Sequence, residues 1–206
     1  MFRDRTEAGH AVGTALALAG VSDPVIFGIP RGGVIVAAGA AEVTGGTLDV
    51  VVAVKIRAPS QPELGLGAVG LGRTVYLDEY LVGDLVVPDG YLEREIASRM
   101  DEVERRTRLY RGDRPLPVLA GRRAVVVDDG IATGGTAVAA LRSVRSLGPD
   151  ELVLAVPVAP EAVRPRMEAE ADRVLFLASP EPFLAVGRWY EDFGQVGDAE
   201  VVAALA

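Results

Sequence analysis

The 206-residue chain has no cysteine, which excludes disulfides, thiolate nucleophiles and every Cys-based zinc or iron–sulfur site. Its one histidine, His10, sits in an Ala-rich run that reads as a helix. No Gly-x-Ser-x-Gly accompanies it, so a Ser-His-Asp triad has nothing to build on and His10 reads as a helix-surface residue. Positive charge is scarce too: 21 Lys and Arg against 29 Asp and Glu leave a net −8, which repels phosphate backbones. Nucleic acid is therefore not an expected partner, whereas a small anion in a local basic pocket is compatible. Long apolar runs are missing. The longest stretch without formal charge, residues 8–22, contains Gly and Ser and falls short of the roughly 18 apolar residues of a spanning helix. The opening Met-Phe-Arg-Asp-Arg-Thr-Glu has no apolar core and is no signal peptide. The expectation is a soluble cytoplasmic protein without a membrane partner. One domain over residues 1–206 is expected, because a single core serves up to roughly 250 residues.

What the chain does have is rhythm. Val/Ile/Leu runs at 25–29, 48–56, 124–127, 152–158 and 173–177 read as buried strands. Continuous rather than alternating apolar runs suit parallel strands covered on both faces. Helical patterns at 6–19, 34–43, 136–147, 161–171 and 198–205 precede, separate or follow them. Such alternation predicts an α/β fold, an open parallel sheet with helices on both faces.

Residues 58–114 break that rhythm and read as an insertion of the size that forms an active-site flap. A Pro-rich opening leads through glycines to a hairpin around 75–77, then to a charged helix at 91–111. Leu92, Ile96, Met100, Val103 and Tyr110 give that helix an apolar stripe. Arg105, Arg106, Arg108, Arg111 and Arg114 form a cationic cluster near the end of that helix and read as a solvated face, with Asp101, Glu102 and Glu104 at ion-pair spacing. Gly65-Leu-Gly-Ala-Val-Gly70 spells G-x-G-x-x-G. It follows a loop and leads into a strand, whereas a dinucleotide site needs a strand before and a helix after.

The chemistry lies in Arg123-Ala-Val-Val-Val-Asp-Asp-Gly-Ile-Ala-Thr-Gly-Gly-Thr136. A strand delivers Asp128 and Asp129 to the carboxyl edge of a parallel sheet, where open α/β sheets bind ligands, and there the acids are expected to face solvent. Gly134 and Gly135 let the backbone curl so that its amides point inward. Thr133 and Thr136 add hydroxyls, and the following helix adds its positive N-terminus. The combination is a phosphate cradle beside two acids, suited to a ligand that also offers hydroxyls or a magnesium ion. A P-loop is excluded, since three residues separate Gly130 from Gly134 and no lysine follows.

Val-Val-Val-Asp-Asp-Gly-Ile-Ala-Thr-Gly-Gly-Thr resembles the phosphoribosyl pyrophosphate (PRPP) motif of type I phosphoribosyltransferases. Glycine at 130 departs from the bulky apolar residue usual there. The resemblance implies that Asp128 and Asp129 contact the ribose hydroxyls, directly or through Mg2+, and that Gly130 and the loop from Ala132 through Thr133, Gly134 and Gly135 to Thr136 wrap the 5-phosphate. Gly28-Ile-Pro-Arg-Gly-Gly33 is similar to the family's pyrophosphate loop, which makes Arg31 and Gly32 PRPP contacts. Lys55 and Arg57, on one face of a strand end, stand where the family keeps further pyrophosphate contacts. Residues 180–196 are similar to the hood that closes over the base, with Leu184, Ala185 and Trp189 as base contacts and Glu191 as a further metal ligand.

The resemblance covers about residues 25–193. It implies a Mg2+-dependent transfer of the phosphoribosyl group from PRPP to a nitrogenous, purine-like base with release of pyrophosphate, and it allows a homodimer. The alternative is a PRPP- or nucleotide-binding regulator that keeps the fold without transfer, placed second because the chain is acidic and shows no added DNA-binding module.

Overall fold

The computed structural model describes residues 1–59, 61 and 64–206; Ser60, Pro62 and Glu63, in the Pro-rich opening of the insertion, lie outside them. In chain order the elements begin with α1 (Arg5–Leu18), β1 (Val25–Gly28), α2 (Gly32–Thr44), β2 (Thr47–Val50) and β3 (Ala53–Arg57). The insertion then supplies β4 (Gly65–Gly70), β5 (Val75–Leu77), α3 (Glu79–Asp84) and α4 (Tyr91–Arg111). The chain continues with β6 (Arg123–Val127), α5 (Gly135–Arg145), β7 (Glu151–Val158), α6 (Arg164–Glu168), β8 (Arg173–Ala178) and α7 (Asp198–Ala204).

Five strands form an open parallel sheet in the order β2-β1-β6-β7-β8. Alternate residues of each strand feed two separate cores, as the pleat requires. Ile26, Val125, Val127 and Val153 pack with Val12, Leu16, Val36 and Ala40 of α1 and α2. Phe27, Val126, Leu152 and Leu154 pack on the other face with Val138, Leu141 and Val144 of α5 and Met167 of α6. Both faces are covered, which is why these strands read as unbroken apolar runs. Helices α1 and α2 approach closely because Gly9 and Gly39 meet, with Gly9 Cα 3.1 Å from where a Cβ on Gly39 would lie.

Two expectations change. The run 48–56 is not one strand. It turns at Val51 and Val52, and β3 leaves the parallel sheet to form an antiparallel sheet with β4 and β5. Both halves are buried, so the apolar run carries no sign of the break; Val50 and Val52 serve a third core with Ile56, Leu66, Val69 and Val103 of α4. The predicted helix 161–171 is instead a 3₁₀ turn, Glu161–Val163, followed by the five-residue α6. Among the described residues no helix is long and apolar enough to cross a membrane.

The arginines of α4 are not all a solvated face. Arg105 and Arg106 do pair with Glu102. Arg111, however, is buried and paired with Asp49 on the edge strand β2, and it also donates to Pro115 O at 2.6 Å. Arg114 donates to Leu205 O at 3.0 Å. A buried ion pair that loses one member strands a charge in low dielectric. Asp49→Ala is therefore expected to lower the unfolding free energy by about 3–5 kcal/mol, read from urea denaturation. Loss near 1 kcal/mol would mean that water reaches Arg111.

Candidate active site at the carboxyl edge of the sheet

The loops that leave the parallel sheet are held together just past the strand ends. Ile29 N donates to Val127 O at 2.8 Å, Val51 N to Gly28 O at 3.1 Å, and Ile131 N to Val158 O at 3.0 Å. Asp128 and Asp129 follow β6 directly and meet the start of α2. A Cβ on Gly32 would overlap Asp129 Oδ2 and lie 2.6 Å from Arg5 Nε. One on Gly33 would lie 2.8 Å from Asp128 Cα and 2.9 Å from its Oδ1. The paired glycines of the 28–33 loop thus first make room for the acids.

The acids, expected from the sequence to face solvent, are instead half-buried. Arg5 Nε donates to Asp129 Oδ2 at 2.8 Å, and the Tyr190 hydroxyl donates to Asp129 O at 2.6 Å. Asp128 Oδ1 accepts the Asp129 amide at 2.9 Å. Burial, and after it the charge of Asp129, pushes the Asp128 carboxyl well above its ordinary range. Burial also raises Asp129, while the hydrogen bond and charge of Arg5 pull it back. Tyr190 is raised by burial and then by Asp129.

Beside the acids lies a cleft of about 130 Å³ lined by Lys55, Asp128, Gly130 and residues 131–137. The α5 ladder starts with Val138 N–H on Gly134 O at 2.9 Å, which leaves the amides of Gly135, Thr136 and Ala137 ahead of it for an anion. Gly134 caps the helix at φ +87°, and a Cβ there would sit 2.8 Å from Met167 Cε. Ala132 and Thr133 are exposed at the mouth. An adjoining cavity of about 80 Å³ shares Lys55, Thr133 and Gly135 with the cleft. Its wall includes Arg166, which donates to Thr133 O at 3.2 Å and pairs with Asp78 at 3.1 Å.

The other expected site residues are dispersed. Arg31 precedes α2, joined to Pro30 by a cis peptide, and is half-exposed with Nη1 4.0 Å from Asp198 Oδ1. Asp198 also accepts the Tyr110 hydroxyl at 2.6 Å; burial, and after it this bond, raises Tyr110 to about 12. Arg57 is exposed past a register shift at Ile56/Arg57, with its carbonyl on the Tyr91 hydroxyl. Leu184 and Ala185 are exposed. Trp189 closes a 3₁₀ turn, Val186–Trp189, with its indole nitrogen buried and unpartnered among the described residues. Glu191 is exposed, its amide on Phe2 O at 2.9 Å; among the described residues no hydrogen bond or ion pair joins it to the acid pair. His10 lies on the helix surface as expected, 3.0 Å from Glu42.

Gly130 has a local reason. A Cβ there would lie 2.5 Å from Val186 Cγ1 and 3.0 Å from Val158 Cγ1. The C-terminal segment fills the space that a bulky residue would take. Gly130→Val is expected to push residues 186–190 off the acid loop and cost about 1–3 kcal/mol through overpacking. A change in emission of Trp189, the single tryptophan, together with a lower melting temperature checks this. Unchanged emission would mean that Val186 does not key on Gly130.

Arg5 and Asp198 carry no local mark in the sequence, and Tyr190 reads there only as an aromatic of the C-terminal segment; all three lie toward the two ends of the chain. Nothing in local periodicity marks a residue whose partner lies so far away along the chain. The acid-bearing strand end, the glycine turn under it and the amide-lined cleft define a parallel α/β fold with a candidate site at the carboxyl edge of its sheet. Residues 10–178 match the model of the phosphoribosyl transferase domain, and the chain belongs to that family. Two Mycobacterium tuberculosis proteins provisionally named phosphoribosyl transferases, Rv0571c and MT0597, are each 40 % identical to it over 205 residues. The match covers all of this chain and 46 % of theirs, so the chain spans about half the length of these curated relatives. The crystal structure of TT1426 from Thermus thermophilus is similar at 46 % identity and a TM-score of 0.83, covering 100 % of this chain and 97 % of that one.

Proposed function

We propose that this chain transfers the 5-phosphoribosyl group of PRPP to a nitrogenous, purine-like base and releases pyrophosphate. The observation that carries the reading is a cleft that brings together Lys55, Asp128 and the free amides in the first turn of α5. The amides of residues 134–137 and the hydroxyls of Thr133 and Thr136 would hold the 5-phosphate. Asp128 and Asp129 would hold the ribose hydroxyls and favour positive charge near C1. The C1–oxygen bond to pyrophosphate breaks, a bond from the base nitrogen to C1 forms, and the base loses a proton. Negative charge grows on the leaving group, so cations must lie beside it; Arg31 and Lys55, with Arg57 at the strand end, are the groups assigned to that role. No carboxylate stands at Ala132, so the proton goes to water or leaves before transfer.

The acid pair also fits Mg2+. Asp128 is a desolvated carboxylate with no cation hydrogen-bonded to it among the described residues; Arg5 acts on it through its charge alone, and a divalent ion would add counter-charge. Among these residues no third His, Asp or Glu joins the pair, so water and ligand oxygens would complete the shell. Bound there, Mg2+ would neutralise charge on the pyrophosphate.

PRPP-dependent pyrophosphate release, screened with adenine, guanine, hypoxanthine, xanthine, uracil and orotate, tests the reading. Release with one base supports it. Tight PRPP binding with no release from any base would make the chain a PRPP-binding regulator instead.

A further inference from the structure

We propose that Arg5 is a positioning residue of this site, holding Asp129 by one carboxylate oxygen and fastening it to the C-terminal segment. The inference rests on the phosphoribosyl reading of the acid pair and adds a residue outside the sequence motif. Arg5 is the first residue of α1, and its place is set by the Asp4 cap, whose side chain accepts the Glu7 amide. Its guanidinium is occupied on three sides. Nε donates to Asp129 Oδ2 at 2.8 Å, Nη1 donates to Gly194 O at 2.8 Å, and the group lies over the Phe193 ring at 3.9 Å from the centroid. The Arg5 and Asp129 side chains are only 11 % and 18 % exposed.

A planar fork suits this task, since it can reach a carboxylate and a carbonyl at once while stacking on a ring; an ammonium cannot do all three. Gly32 is the independent sign that the pair is built in. Any side chain at 32 would occupy the volume of the Asp129 carboxylate and of Arg5 Nε. The main chain repeats the linkage: Phe2 N donates to Trp189 O, Glu191 N to Phe2 O and Asp192 N to Arg3 O. With one Asp129 oxygen committed to Arg5, the acid pair offers a ligand Asp128 and the second oxygen of Asp129. Arg5 also keeps the C-terminal segment beside that ligand.

Partners that orient ligating carboxylates commonly change affinity by roughly 10–100-fold when removed. Calorimetric titration with Mg2+ and PRPP should be run on wild type, Arg5→Gln and Arg5→Lys, with acrylamide quenching of Trp189 in parallel. Arg5→Gln is expected to bind Mg·PRPP about tenfold more weakly or worse, with Trp189 quenched more readily because the segment is unfastened. Arg5→Lys should fall between, regaining charge without the fork, and it stands in if Arg5→Gln does not fold. Binding within about twofold of wild type in either folded variant, with unchanged quenching, would overturn the inference while leaving the function intact. A wild-type protein that does not bind Mg·PRPP would overturn the phosphoribosyl reading, and this inference with it.

Discussion

The double variant Asp128→Asn, Asp129→Asn is expected to lose Mg2+-dependent PRPP binding by about a hundredfold or more, a loss of the size that charged contacts at a preorganised site sustain. Both carboxylates sit in one half-buried place, and an amide can neither carry charge to a divalent ion nor accept at both positions. The single variant Asp128→Asn separates binding from folding. Asp128 is harder to ionise in the folded chain than in the unfolded one, so the folded state holds its proton to higher pH. Folding is therefore unpenalised below the ordinary value of 3.8 and loses stability as pH rises through the raised value. Asparagine removes that loss. The melting temperature of Asp128→Asn minus that of wild type should be near zero in acid and grow positive toward neutral pH. A difference independent of pH would show that the carboxyl is not desolvated. Unchanged Mg·PRPP affinity in the double variant would end the functional assignment.

Gly134→Val is expected to abolish the phosphate binding proposed for the start of α5. The residue needs φ +87°, which a β-branched side chain resists, and its Cβ would press on Met167. The loop would flatten and the amides of Gly135 to Ala137 would no longer converge. Binding of ribose 5-phosphate should fall below detection by calorimetry. Wild-type crystals soaked with sulfate should show an anion at residues 133–136. Retained ribose 5-phosphate affinity in the variant, or an ordered sulfate elsewhere with this loop empty, would contradict the placement.

Much of this was legible because the sheet is covered on both faces. Burial on two sides demands unbroken Val, Leu and Ile, so four of the five parallel strands declare themselves within a residue or two. The fifth, β2, was hidden for the same reason, since the chain stays apolar through Val51 and Val52 while it changes sheets. The strand end, the glycine turn and the helix start were legible because they are local: Thr133, Gly134, Gly135 and Thr136 follow the acids within eight residues. Arg5, Asp49 and Asp198 are single charged residues in ordinary surroundings, and only folding brings their partners to them. Ala132, Arg57 and Leu184 lie exposed at the mouth of the cleft, at a strand end and on the C-terminal segment.

The meeting of Gly130 with Val186 joins two distant positions in a single volume. Enlarging residue 130 alone should be harmful, and so should shrinking residue 186 alone, which leaves a gap over the acid loop. Gly130→Ala with Val186→Ala should recover part of what each change costs, with a coupling of about 0.5–3 kcal/mol in a double-mutant cycle. In a diverging lineage neither substitution would then be tolerated far ahead of the other, and the two sites should exchange their bulk in concert, a co-substitution set by the shape of one contact.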